Sequence, residues 1–299
     1  MVKKPKLRKR DYPLYLLLQG ISHLPFGLLY ILSDLVYLLL FYVLGYRKKV
    51  VYANLRNSFP EKTQTQLKII AKKFYKNLAD IIFEILKLGT ITKEEMAARV
   101  RYKNPELLQP YLDKGITIIS LGSHAGNWEW GLASSSCFFK EAADGVYKPL
   151  HNAFFEEYMR FLRSRLGATP VKMKEVLRHL LKHRQEPRMV CLLSDQTPPR
   201  GEIQYWTNFL NQDTGFYVGA DKLADAFKYP VIFIAVERVG RGHYEFSFEL
   251  LQEHGEKNKP AEFSITEAYA RTLERWVQRF PADYLWSHRR WKHKRPENI

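Results

Sequence analysis

His124 stands five residues before Glu129 in the stretch ITIISLGSHAGNWEWGL, residues 116–132. A neutral imidazole takes a proton from a hydroxyl near pH 7. A carboxylate on the other ring nitrogen fixes the tautomer and stabilises the imidazolium as it forms. His124 as general base and Glu129 as its orienting acid therefore suit acyl transfer from a thioester to a hydroxyl. No Ser or Cys nucleophile is needed if the acceptor hydroxyl attacks directly. Spacing alone is weak ground, because nine histidines and 31 acids in 299 residues yield about one such pair by chance. The chain carries a decoy, His151 and Glu156 in HNAFFE. That pair opens an amphipathic helix bearing Phe154, Phe155, Tyr158 and Phe161, and lacks a preceding strand. His124 follows an apolar run and lies between Gly122 and Gly126, which allow a tight turn beside a substrate. Context selects His124.

The elements that must position this histidine read as an α/β layer. Ile116–Leu121, Met189–Ser194 and Val231–Val236 are short apolar runs expected as buried strands, and His243–Leu250 alternates as a later antiparallel strand. Residues 62–88 carry apolar side chains at helical spacing, and so do residues 266–280. His124 falls at the carboxyl end of the first strand, where open α/β sheets place their ligands.

A formal net charge of +16 implies an acidic partner or surface. Cys137 and Cys191 lie in apolar runs, as buried reduced thiols do, and no His/Cys grouping has metal-ligand spacing. The amino terminus carries Lys3, Lys4, Lys6, Arg8, Lys9 and Arg10. From Tyr12 to Tyr46 the one formal charge is Asp34, and Arg47, Lys48 and Lys49 close the stretch. No cleavage site follows, so it reads as a permanent anchor. As one helix it would run ~50 Å, well past the ~30 Å hydrocarbon core, and Pro25 with Gly27 offers a break. A helical hairpin keeps both basic flanks on one anionic face, whereas a single crossing exports one of them. The expected division is an anchor over residues 1–49 and a catalytic domain over residues 50–299.

Five blocks resemble, in order, the lipid A biosynthesis late acyltransferases, the lauroyl and myristoyl transferases of the lysophospholipid acyltransferase superfamily. They are GYRKKVVYANLRNSFPE (45–61), SHAGNWE (123–129), YKPLHN with RSRLG (147–152 and 163–167), LSDQTP (193–198) and YLWSHRRWK (284–292). The resemblance implies a glycerophosphate-acyltransferase-like mixed sheet flanked by helices, with an amino-terminal membrane-anchor helix or hairpin. It implies an acyl-carrier-protein thioester as co-substrate, with no cofactor or metal, and a lipid A precursor as acceptor. Asn127, Lys148, Arg163, Arg165, Asp195 and Gln196 then become candidate substrate-binding residues, the cations for phosphate. The expected partners are an acidic acyl carrier protein, a lipid acceptor in the bilayer and anionic phospholipids. The catalytic domain is expected on the cytoplasmic face of a bacterial inner membrane. The closing segment, with Trp286, Trp291, Arg289 and Arg290, is expected at the membrane interface. The stretch after Gln196, with Trp206 and NQD at 211–213, departs from the family and leaves the acceptor open: a lysophospholipid or an amino-acid lipid is the alternative. A membrane-tethered nucleic-acid-binding protein is the rival from another class. No recognisable nucleic-acid-binding pattern is present, so nucleic acid is not expected.

Overall fold

Pro25 splits the amino-terminal apolar run into two helices, α1 (Tyr12–His23) and α2 (Phe26–Leu38), joined through an extended Leu24. A π-helical turn over Leu39–Val43 prolongs α2. The computed structural model describes residues 5–255 and 262–296, so Lys3 and Lys4 lie outside the described residues. Helix α3 (Lys48–Ser58) follows, then α4 (Gln64–Lys87) and α5 (Lys93–Arg99), each of the last two opened by a capping box, Thr63 with Gln66 and Thr92 with Glu95.

The remaining chain alternates strands and helices. In order come β1 (Val100–Tyr102), α6 (Gln109–Leu112), β2 (Ile118–Gly122), α7 (Trp128–Phe138), β3 (Ala142–Tyr147), α8 (Ala153–Ser164) and β4 (Thr169–Lys172). Then follow α9 (Val176–Lys182), β5 (Arg188–Leu193), the hairpin β6 (Tyr205–Phe209) and β7 (Gln212–Phe216), and α10 (Gly219–Phe227). Strands β8 (Val231–Gly240) and β9 (His243–Gln252) and helix α11 (Ser264–Arg279) complete the fold. Seven strands form one mixed sheet in the order β1-β9-β8-β2-β5-β3-β4. The five strands from β8 to β4 run parallel, and the β8–β9 hairpin turns the remaining two the other way.

The four expected strands are present, and β8 and β9 are longer than their apolar cores. Strands β3 and β4 escape a reading by composition because AADGVY and TPVK carry Gly, Asp and Pro; β4, with Pro170, sits at the sheet edge, where proline is tolerated. The unusual stretch after Gln196 contains the β6–β7 hairpin, whose turn residues Leu210 and Asn211 both have positive φ.

Helix α2 is docked on the body along one face. Leu29 and Ser33 are buried, and the Ser33 hydroxyl donates to Asp80 of α4 at 2.6 Å. Arg241 bridges Asp34 and Asp80, each at 2.7 Å, and Arg238 also reaches Asp80. The charge of Asp80 is thus buried but fully paired, the arrangement in which a buried carboxylate is tolerated. The elbow between α1 and α2 is held by Lys87, whose ammonium donates to the Ser22 and Leu24 carbonyls at 3.1 and 3.0 Å. The other face of the pair, with Leu16, Leu17, Ile31 and Leu35, is exposed. By length and composition Phe26–Val43 is apolar enough to cross a membrane, yet one side of it is committed to the protein.

Candidate active site

Strands β2 and β5 are parallel neighbours in register, with Gly122 opposite Leu193. Two residues beyond each of these ends stand His124 and Asp195, so equal offsets bring the two side chains together. The His124 Nδ1–H donates to Asp195 Oδ1 at 2.7 Å, and the Gln196 amide lies 3.2 Å from the other ring nitrogen, Nε2. Asp195 is 2% exposed. Burial alone would raise its carboxyl, but the His124 ring, its hydrogen bond and Arg290 behind it hold the group below the usual carboxylate range. Trp128 stands edge-on to the imidazole, 5.0 Å between ring centres.

The carboxylate on the histidine is therefore Asp195, and the expected pairing of His124 with Glu129 is corrected. Glu129 is the second residue of α7, and there it faces α8. Arg163 Nε and Nη2 grip its two oxygens at 2.8 and 2.5 Å, a bidentate pair with the acid 5% exposed. The turn that separates the two roles depends on Gly126. Its φ is +55°, and a Cβ there would come 2.7 Å from Val236 Cγ1.

The other candidates sort by what they touch. Asn127 is buried and spends its amide inside the protein, accepting from the Trp130 N–H at 3.0 Å and donating to Glu84 at 2.8 Å; it caps α7 and is not free to bind substrate. Arg163 is engaged by Glu129 and lies over the Tyr147 ring, so it is not an open phosphate fork. Arg165 donates to the Leu88 carbonyl at 2.5 Å, away from the histidine, and ties α8 to the end of α4. Lys148 is exposed at the mouth of the site. Gln196 faces the His124 Nε2. In the decoy pair, Glu156 takes the Tyr147 hydroxyl at 2.7 Å and the Leu150 N–H at 2.9 Å.

A cavity of about 540 Å³ opens beside His124. Its floor is one face of the sheet, because Ser120 and Gly122 of β2, Met189, Cys191 and Leu193 of β5, and Ile234 and Val236 of β8 alternate along their strands. Helix α7 roofs it through Gly131, Leu132 and Ser135, and Tyr102, Phe139 and Phe248 pack together at one end. Close approach of roof to floor relies on Gly145, where a Cβ would come 2.3 Å from Leu132 Cδ2. The cavity is mainly apolar, with a polar rim of His124, Glu129, Arg163, Lys148, His151 and Gln196. Among the described residues, no three His, Cys, Asp or Glu side chains come together as a metal ion requires.

The closing segment is not a membrane-facing tail through its Trp and Arg290. Trp286 and Arg290 are buried, and the Trp291 indole N–H donates to Thr214 at 2.7 Å. His288 accepts the Thr197 N–H at 3.2 Å, which anchors the loop carrying Asp195 and Gln196. The roles of Arg290 and His288 do not show in the sequence because a WSHRRWK string reads as an aromatic and basic membrane-interface segment; the three aromatics Tyr284, Trp286 and Trp291 interrupting the charges are the available sign of burial.

No individually curated protein matches the chain. A family model does, across residues 3–293, and its description is bacterial lipid A biosynthesis acyltransferase.

Proposed function

The chain belongs to the bacterial lipid A biosynthesis acyltransferase family, and from that premise we propose that it moves a fatty acyl chain from an acyl-carrier-protein thioester to a hydroxyl of a lipid A precursor. The observation that carries this reading is the half-buried His124 held by the buried Asp195 at the edge of an apolar cavity. With Nδ1–H held by Asp195, Nε2 keeps its lone pair and takes the proton from the acceptor hydroxyl. The alkoxide oxygen attacks the thioester carbonyl, the C–S bond breaks, and the departing thiolate recovers the proton from His124. The acyl chain lies in the cavity under α7. The Gln196 amide occupies the position where the hydroxyl arrives and turns its N–H to the carbonyl oxygen as charge develops there. Glu129 and Arg163 form a rigid polar wall at the cavity rim, and Lys148 meets a phosphate of acceptor or donor.

The exposed leucines of α1 and α2, flanked by basic residues, support membrane association on the cytoplasmic side, with the helices lying in the interface instead of crossing it. The surplus of +16 suits both anionic lipid and an acidic carrier protein.

The test is acyl transfer in detergent micelles, read as the mass increase of a lipid A precursor supplied with acyl-carrier thioester. His124→Ala is expected to lose about 10²- to 10⁴-fold in rate with its fold retained. Transfer at the wild-type rate in that variant overturns the reading.

A further inference from the structure

A hydrogen-bonded path joins the amino-terminal apolar helix to the loop that carries the histidine, and its hub is Glu84 of α4. The Tyr30 hydroxyl of α2 donates to Glu84 Oε1 at 3.1 Å. Asn127 Nδ2 and the Tyr244 hydroxyl donate to Oε2 at 2.8 and 2.7 Å. The same Asn127 caps α7 through the Trp130 N–H, and the Trp130 indole N–H donates to the Glu84 backbone carbonyl at 2.9 Å. Phe26 of α2 packs edge-on against Trp130, with ring centres 6.0 Å apart. Glu84 is 1% exposed; burial pushes its carboxyl up, while its donors and Arg238 oppose that rise. The body is shaped for this contact, since a Cβ on Gly242 would lie 1.9 Å from the Tyr30 hydroxyl oxygen.

We propose that α2 is a positioning element for the active site as well as a membrane contact: seated through Tyr30 and Phe26 on Glu84 and Trp130, it fixes the Gly126–Trp130 turn and so the geometry of His124. The inference rests on the acyl-transfer reading of His124. Asn127 is the joint, because one amide group serves both Glu84 and the first turn of α7. If Tyr30 leaves, one of the three donors to a buried carboxylate is lost, and the hub that orients Asn127 loosens.

The coupling separates from tethering in detergent micelles, where delivery to a bilayer plays no part. Tyr30→Phe removes one hydroxyl, and Glu84→Gln leaves the hub's shape but not its three-fold acceptor. Each is expected to lower kcat about tenfold, with KM for the acyl-carrier thioester within about twofold of wild type. Leu35→Ser, on the exposed face of α2, is expected to keep wild-type kcat in micelles. Hydrogen exchange supplies a readout independent of turnover: in Tyr30→Phe the amides of residues 126–131 exchange faster, while those of β3 and β5 do not. Wild-type kcat and wild-type exchange in a folded Tyr30→Phe overturn the coupling. An inactive wild-type enzyme with all thioester donors instead overturns the acyl-transfer reading, while the exchange result still decides the coupling.

Discussion

Two acids compete for the role of partner to His124, and the structure separates them by geometry. Asp195 holds the imidazole, whereas Glu129 is clamped by Arg163. Asp195→Asn replaces the acceptor of the Nδ1 proton with an amide that can favour the wrong tautomer. In the best-studied triad the same change costs about 10⁴-fold, and a loss of 10²-fold or more in kcat is expected here. Glu129→Gln leaves the ring in place but strips Arg163 of its charged partner, so the expected change is a smaller kcat loss with a weaker apparent affinity for substrate. Reversal of that order, measured under single-turnover conditions, would return the orienting role to Glu129. His124 was legible from sequence because a strand, two glycines and a helix start surround it. Its partner was not, because the contact spans 71 residues and arises from the pairing of β2 with β5, which no local pattern encodes. The LSDQTP block marks Asp195 as a substrate-binding candidate, not as the partner of the imidazole. Nearness of Glu129 in sequence does not become nearness in space, because the first turn of α7 points that side chain toward α8.

At the scale of elements, the break at Pro25 and the two arms beside it follow directly from the apolar run. The docking of α2 was present in the sequence in a form easily passed over: Tyr30, Ser33, Asp34 and Tyr37 recur at helical spacing within an otherwise apolar helix, a polar stripe that needs a polar partner. What the pattern does not give is the partner, because Asp80 and Arg241 come from α4 and the β8–β9 turn. A helix gripped along that stripe offers lipid only its opposite side. Leu16→Ser combined with Leu35→Ser is therefore expected to reduce binding to anionic vesicles more than tenfold in flotation, since each buried leucine contributes about 2 kcal/mol. Binding that resists both changes would indicate a crossing helix held from all sides by lipid.

Across the whole molecule, the carboxyl-terminal segment closes behind the site. His288 is neutral and half-buried, and it accepts the N–H of Thr197 in the Asp195 loop. Burial, aided by the cations Arg290 and Lys292 and opposed by Asp195, lowers its pKa from 6.5 to about 4. Between those values the unfolded chain binds a proton that the folded chain refuses, so this residue contributes stability that is lost as pH falls from 6.5 toward 4. His288→Gln keeps an acceptor for Thr197 without titrating. Its Tm, followed from pH 7 to pH 4.5, is expected to fall less steeply than that of the wild type; equal slopes would show that the histidine does not carry the acid sensitivity. The α/β class and the main strands were readable from composition and alternation, but this closure was not, because it joins residues about ninety positions apart. The equal offsets of His124 and Asp195 from their strand ends have a consequence for synthesis. A ribosome delivers the histidine 71 residues before its acid, and the segment that anchors the acid's loop later still. The pair forms only after β2 and β5 have paired in one register, so on the proposed mechanism a partly made chain lacks the means to cleave a thioester. On the proposed mechanism, enzymatic activity is therefore itself a report that β2 and β5 have paired in the correct register.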